Sequence, residues 1–138
     1  MTDPVQPDIV EHVSSTDYAS TVERITNAIA EAGLTLFACI DHAAGARDGG
    51  MAMPSALVLI YGHAKGGTPI MLAAPKAALD LPLHVLVRQR EDGQTVIAYR
   101  PVVSMLRHAG VAPELAARLE PAQRLLVQAL DPRSSAER

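Results

Sequence analysis

Asp92-Gly93 stands between two strand-forming runs, Leu81–Arg88 and Thr95–Arg100, and constrains the fold more than any other pair of residues. Asp-Gly flanked by strand-forming runs is a strong hairpin signal, so the runs are expected to pair as an antiparallel hairpin. A turn this short cannot carry a parallel crossover, which needs a dozen residues or more. In the first run Leu81, Leu83, Val85 and Val87 alternate with Pro82, His84, Leu86 and Arg88, giving one apolar face.

The other elements are read around this hairpin. Tyr18, Val22, Ile25, Ile29 and Ala32 recur at helical spacing. Asp17, or Ser20 with Glu23, can cap that helix, and Gly33 suits the left-handed position after it. Ile9–Val13 reads as a short strand. Leu34–Ile40, an apolar run without alternation, is expected as a strand buried on both faces. Ala43–Met53 holds a short helix, and Leu57–Tyr61 a further strand. Thr68-Pro69 reads as an N-cap followed by proline at the first helical position. Pro101, Pro113 and Pro121 each start a helical pattern, with Leu115, Leu119, Leu125, Leu126 and Leu130 as the apolar face. The resulting order, β-α-β-(α)-β-α-β-β-α-α, predicts an α/β (α+β) chain. Its architecture is a two-layer sandwich with helices packed on a mixed or largely antiparallel sheet. Residues 1–8 read as a flexible leader, 9–110 as one α/β domain, 111–130 as a C-terminal helical extension and 131–138 as a disordered tail.

Composition narrows the classes of function. At 138 residues the chain can build one core without a disulfide or metal staple. Twelve Lys plus Arg against fifteen Asp plus Glu leave a net charge of −3, which argues against nucleic acid as a partner. No apolar stretch approaches the ~20 residues of a membrane span, so no membrane role is expected. Aromatic residues are 3% of the chain, and platforms for stacking bases or sugars are nearly absent. The one cysteine, Cys39, excludes an internal disulfide; within its apolar run it reads as core filler. Met1–Val5 lacks the basic and apolar regions of a secretory signal, so the expected compartment is the cytoplasm.

Chemistry is concentrated after the strands. Asp41-His42 follows one apolar run, and an imidazole there can act as acid, base or ligand. Equally, Asp41 can cap the next helix while His42 packs against a neighbour. His63 follows another strand; the two imidazoles meet only if both strands leave the sheet at one end. Lys65-Gly66-Gly67-Thr68 before a helix resembles a phosphate cradle, although Lys65 precedes the glycines and the run is no Walker A loop. Its plainer reading is a glycine-permitted turn capped by Thr68. No H-x-x-x-H spacing occurs and no metal site is expected; whether the chain takes a cofactor is left open. Met51, Met53 and Met71 suit a core, a pocket or a subunit contact.

From Gly33 to about Gly110, several segments occur in a specific order. They are Gly33-Leu34-Thr35-Leu36-Phe37, Ile40-Asp41-His42-Ala43-Ala44-Gly45-Ala46, Leu59-Ile60-Tyr61-Gly62, Gly67-Thr68-Pro69-Ile70-Met71, Ala73-Ala74-Pro75 and Leu79-Asp80-Leu81-Pro82-Leu83, with Asp92-Gly93 ahead of Tyr99. In this the chain resembles the bacterial and archaeal family catalogued as domain of unknown function number three hundred and two. With the first helix, the resemblance covers roughly residues 15–110. It implies an α/β fold and a homodimer, and brings no agreed activity. Gly62-His63-Ala64 stands where that family more often has Gly-Asn-Pro.

Two functions are therefore expected of the chain. The first is homodimeric binding of a small anionic ligand between the Asp41-His42 exit, the Gly62–Thr68 turn and the segment from Asp80 to Pro82. The second is a homodimeric interaction or scaffold module without chemistry. Whether the chain is an enzyme is left open, since no complete catalytic constellation is visible.

Overall fold

The computed structural model describes residues 8–131; the expected leader, apart from Asp8, and the expected tail after Asp131 lie outside them. Five strands form one antiparallel sheet: β1 (Val10–Val13), β2 (Thr35–Asp41), β3 (Ala56–Gly62), β4 (Leu83–Gln89) and β5 (Thr95–Tyr99), in the order β1-β5-β4-β3-β2. Asp92-Gly93 makes the β4–β5 hairpin, with Gly93 at φ +88°. The expected sandwich is present, with a wholly antiparallel sheet.

One sheet face carries Leu57, Leu59 and Tyr61 of β3, Leu83, Val85 and Val87 of β4, and Ile97 of β5, which all belong to the core cluster. Against them packs α1 (Tyr18–Glu31), burying Ile25 and Ile29 at about 1.5–3 kcal/mol each. Asp17 caps this helix by accepting from the Ser20 amide. Gly33 at φ +76° ends it in a Schellman arrangement, with Leu34 N–H donating to Ile29 O and Gly33 N–H to Ala30 O. Ser20 and Glu23 make no capping box; Asp17 has taken the position.

The other helices are α2 (His42–Asp48), α3 (Ala64–Ala73), α4 (Val102–Arg107), α5 (Pro113–Ala116) and α6 (Glu120–Ala129). Short 3-10 turns occupy Pro75–Leu79 and Ala117–Leu119. The segments after Gly110 add Val111, Ala116, Leu126 and Leu130 to the same core. Buried Gln123 locks them in place: its Oε1 accepts from Val102 N–H at 2.9 Å and its Nε2 donates to Arg100 O at 2.8 Å. Pro101, the N-cap of α4, has no side-chain acceptor, so Gln123 caps that helix from α6. Ser15 Oγ donates to Leu130 O at 2.9 Å and joins the two ends of the described chain.

β2 departs from expectation. Rather than lying buried on both faces it forms one edge of the sheet, with Phe37 52% and Ile40 45% exposed. Cys39 goes with it and is exposed, not core filler. An unbroken apolar run looks the same at a sheet centre and at an uncovered edge; only the pairing of the strand decides between them. Phe37 lies at a register shift between Leu36 and Ala38, a bulge. Among the described residues no helix is long and apolar enough to cross a membrane.

Candidate functional site

The two strand exits singled out by sequence lie at opposite ends of the sheet. β2 and β3 are antiparallel, with Asp41 opposite Leu57 and Thr35 opposite Gly62. Six residue steps of strand, about 20 Å, therefore separate Asp41 from His63. Asp41 is committed to capping α2, its Oδ1 accepting from Ala44 N–H at 2.9 Å, and His42 is the exposed first residue of that helix.

At the other end His63, in extended conformation, caps α3: its Nδ1 accepts from Lys65 N–H at 3.0 Å. An accepting Nδ1 leaves Nε2 as the protonated, donating nitrogen of the neutral ring. The helix thus begins five residues before the position expected from Thr68-Pro69. Thr68 lies inside α3 and is not its cap, and Pro69 is an internal residue of it. The amides of Gly66 and Gly67 both donate to His63 O, at 3.0 and 3.1 Å. They make the first helical turn instead of an open nest, and Lys65 projects from that turn exposed. The cap and the burial of Ile70 against the core outweigh a local start signal at Thr68.

What surrounds His63 is a cavity of about 660 Å³. Gly66, Gly67 and Met71 of α3 form one wall. Leu81, Pro82 and Leu83, entering β4 through a cis peptide at Pro82, form a second. Leu34, just before β2, and Phe37 within it approach from another side, and Leu119, Ala122 and Leu125 close it from the C-terminal helices. Its polar lining side chains are His63, Thr68 and Arg118, all exposed at the rim. Among the described residues no Asp or Glu lines it. Two consecutive glycines inside a helix each cost about 0.5–1 kcal/mol against alanine. Here they let neighbours close in: a Cβ on Gly66 would lie 3.1 Å from Leu119 Cδ2.

Beneath the cavity, Tyr61 spans from β3 to α6, its hydroxyl donating to Ala122 O at 2.7 Å. Burial pushes its phenol well above the ordinary value of 10.0, with a smaller contribution from Tyr99.

Of the sequence candidates, His63, Gly66, Gly67 and Thr68 come together around this cavity; Lys65 is adjacent to it in α3. Asp41 and His42 are at the far end of the sheet. Asp80, half-buried at the end of the Pro75–Leu79 turn, lines a different concavity of about 470 Å³ with Leu79, Val58 and His84. Met71 lines the main cavity, whereas Met51 and Met53 are exposed. Among the described residues no three of His, Cys, Asp or Glu converge as a metal site. Sequence reasoning missed Phe37, Arg118 and the helical residues 119–125. The leucine periodicity of that last stretch announced an apolar face and could not announce what it would face.

Comparisons with known proteins agree with this architecture. A crystal structure titled as the uncharacterized conserved protein DUF302 from Bacillus stearothermophilus superposes with a TM-score of 0.77 over 90% of this chain and 96% of that one, at 16% identity. Among curated proteins, Fluoride-specific ion channel FluC 1 of Brucella suis biovar 1 (strain 1330) is 32% identical over 76 residues. Those residues are 55% of this chain and 30% of that protein. Fluoride-specific ion channel FluC 2 of Brucella melitensis biotype 1 matches equally, over 55% of this chain and 28% of its own length. The match therefore spans less than a third of those relatives. The family match runs over residues 10–132, through the C-terminal helices that the sequence resemblance left out. The chain belongs to the family described as Domain of unknown function DUF302.

Proposed function

We propose that this protein is a homodimeric binding module for a small anionic ligand, held in the cavity beside His63. The observation that carries this reading is the lining: an apolar chamber whose charged side chain is Arg118 and which no carboxylate of the described residues enters. A volume of about 660 Å³ lies within the ordinary range of small-molecule sites. The ligand site therefore moves from the backbone of residues 65–68 to the space those residues border.

The homodimer rests on the edge strand. From Leu34 to Ile40 no side chain is charged, and the seven-residue β2 offers its free backbone groups beside exposed Leu36, Phe37 and Ile40. Uncovered edges of this kind pair with other strands, and a second copy of the same strand presents no charge before its last residue, Asp41. Native mass spectrometry of gently purified protein tests both halves. A dimer with retained mass, lost on Arg118→Met, is the expected result; a bare monomer would overturn the reading.

The second reading, an interaction module without a ligand, also draws on β2 and on the relatives. Fluoride channels are proteins of the membrane, and no described helix here can cross one. The likeness then bears on a part carried beside a channel, and the partner in this reading is a membrane transport protein. Fluoride itself suits the cavity poorly, because apolar walls return nothing for the water that such an ion must shed. A dimer that remains bare of ligand, and binds none on addition, would favour this second reading.

A further inference from the structure

The cavity is graded from an apolar interior to a cationic rim. Leu83 and Gly62 are buried at its inner end, and Leu81, Leu119 and Leu125 are half-buried along it. His63, Thr68 and Arg118 are exposed at its rim, and Arg118 forms no ion pair among the described residues. The imidazole faces the same space with its Nδ1 already engaged by the Lys65 amide, so its free nitrogen is a donor. Gly66 and Gly67 keep one wall bare of side chains; a Cβ on Gly67 would meet Met71 Cε at 3.7 Å and Leu81 Cδ1 at 3.8 Å.

An inorganic anion fits only the rim. It would leave the leucine walls in water, and drawn inward it would lose its hydration for nothing. A neutral hydrocarbon fits only the interior and makes no use of Arg118. We infer, on the reading of this cavity as a ligand site, that its ligand is an amphipathic anion: a straight-chain carboxylate of medium length. Its hydrocarbon lies along Leu81, Leu119 and Leu125. Its head meets the guanidinium of Arg118 and the donating nitrogen of His63, both suited to carboxylate oxygens. The half-exposed ring of Phe37 covers the chain where it enters.

Calorimetric titration with hexanoate, octanoate and decanoate, each below its micelle concentration, tests the assignment, with decanol and inorganic phosphate as comparison ligands. Affinity should rise about fourfold per added methylene until the interior is full. Arg118→Met keeps an apolar stem at an exposed position and removes the charge; it should bring decanoate down to the affinity of decanol. Equal binding of decanol and decanoate by the unaltered protein would overturn the charged head and leave an apolar cavity. Binding of phosphate without any dependence on chain length would overturn the amphiphile and leave the anion site of the broader reading. Silence from every ligand would overturn both.

Discussion

The two strand exits make an informative pair. At one end of the sheet Asp41 leaves β2 and caps α2; at the other His63 leaves β3 and caps α3. Locally they are the same device, a polar side chain accepting from an amide of the helix it precedes. They differ in what closes over them. Above His63 the C-terminal helices bring Arg118, Leu119 and Leu125 across, and a chamber results. Asp41 and His42 line none of the concavities described above. Capping chemistry alone therefore makes no chamber; its cover comes from chain more than fifty residues away in sequence.

The strongest way to break this contrast is to release the overhead helices. Gln123→Ala strips partners from Val102 N–H and Arg100 O at once and should cost about 2–4 kcal/mol in urea unfolding. Hydrogen exchange should then quicken in α6 and α3 while α2 keeps its protection. Uniform quickening would show that the two ends are not separable.

Tyr61→Phe cuts the tie between sheet and α6 more gently. The loss should be about 1 kcal/mol at neutral pH, since Ala122 O gives up its phenolic partner. The sign of its pH dependence follows from burial. A phenol whose folded pKa is raised contributes stability in full below the unfolded value of 10.0. That contribution is lost as the pH rises beyond 10.0, where only the unfolded chain sheds the proton. The gap between the native protein and Tyr61→Phe should therefore close in alkali, measured as unfolding midpoints across the pH range.

The direct comparison exchanges the caps. Asp41→Ala should cost about 1 kcal/mol and leave ligand retention untouched. His63→Ala should have the smaller effect on stability and the larger on binding. Equal effects on binding would refute the distinction drawn between the exits. Asp17 serves as a third cap for calibration. The amide and hydroxyl of Ser20 hold its carboxyl below the ordinary 3.8. Its contribution is thus complete above that value and fades as the pH falls through the lowered one. The stability difference between the native protein and Asp17→Ala should shrink accordingly on acid titration.

What the sequence disclosed was what neighbours in sequence decide. The stripe of α1, its Asp17 cap, its Gly33 terminator and the Asp92-Gly93 turn are local, and all stand where expected. β2 was misread because periodicity reports the faces of a strand and says nothing of its place in the sheet. Thr68-Pro69 was misread because a helix starts where cap and burial together favour it, and His63 with Ile70 outweighed the nearer signal. Of the candidate residues at 63–68, the glycines suggested a turn, and they prove to lie inside a helix as the bare wall of a chamber. Arg118 gave no signal, since a lone arginine in a helical pattern looks like any solvated charge.

The chamber also has a bearing on how its occupant can be found. Its walls come from residues 32–37, 62–71, 81–83 and 118–125, so it is assembled only when segments far apart in sequence are folded together. A molecule that fits it binds the native state and has nothing to bind in the unfolded one. Binding and folding are thereby linked, and at a hundredfold excess over its dissociation constant such a molecule adds about 2.7 kcal/mol to stability. The melting temperature of this protein is thus a reporter on any molecule that fills the chamber, legible without an assay of activity.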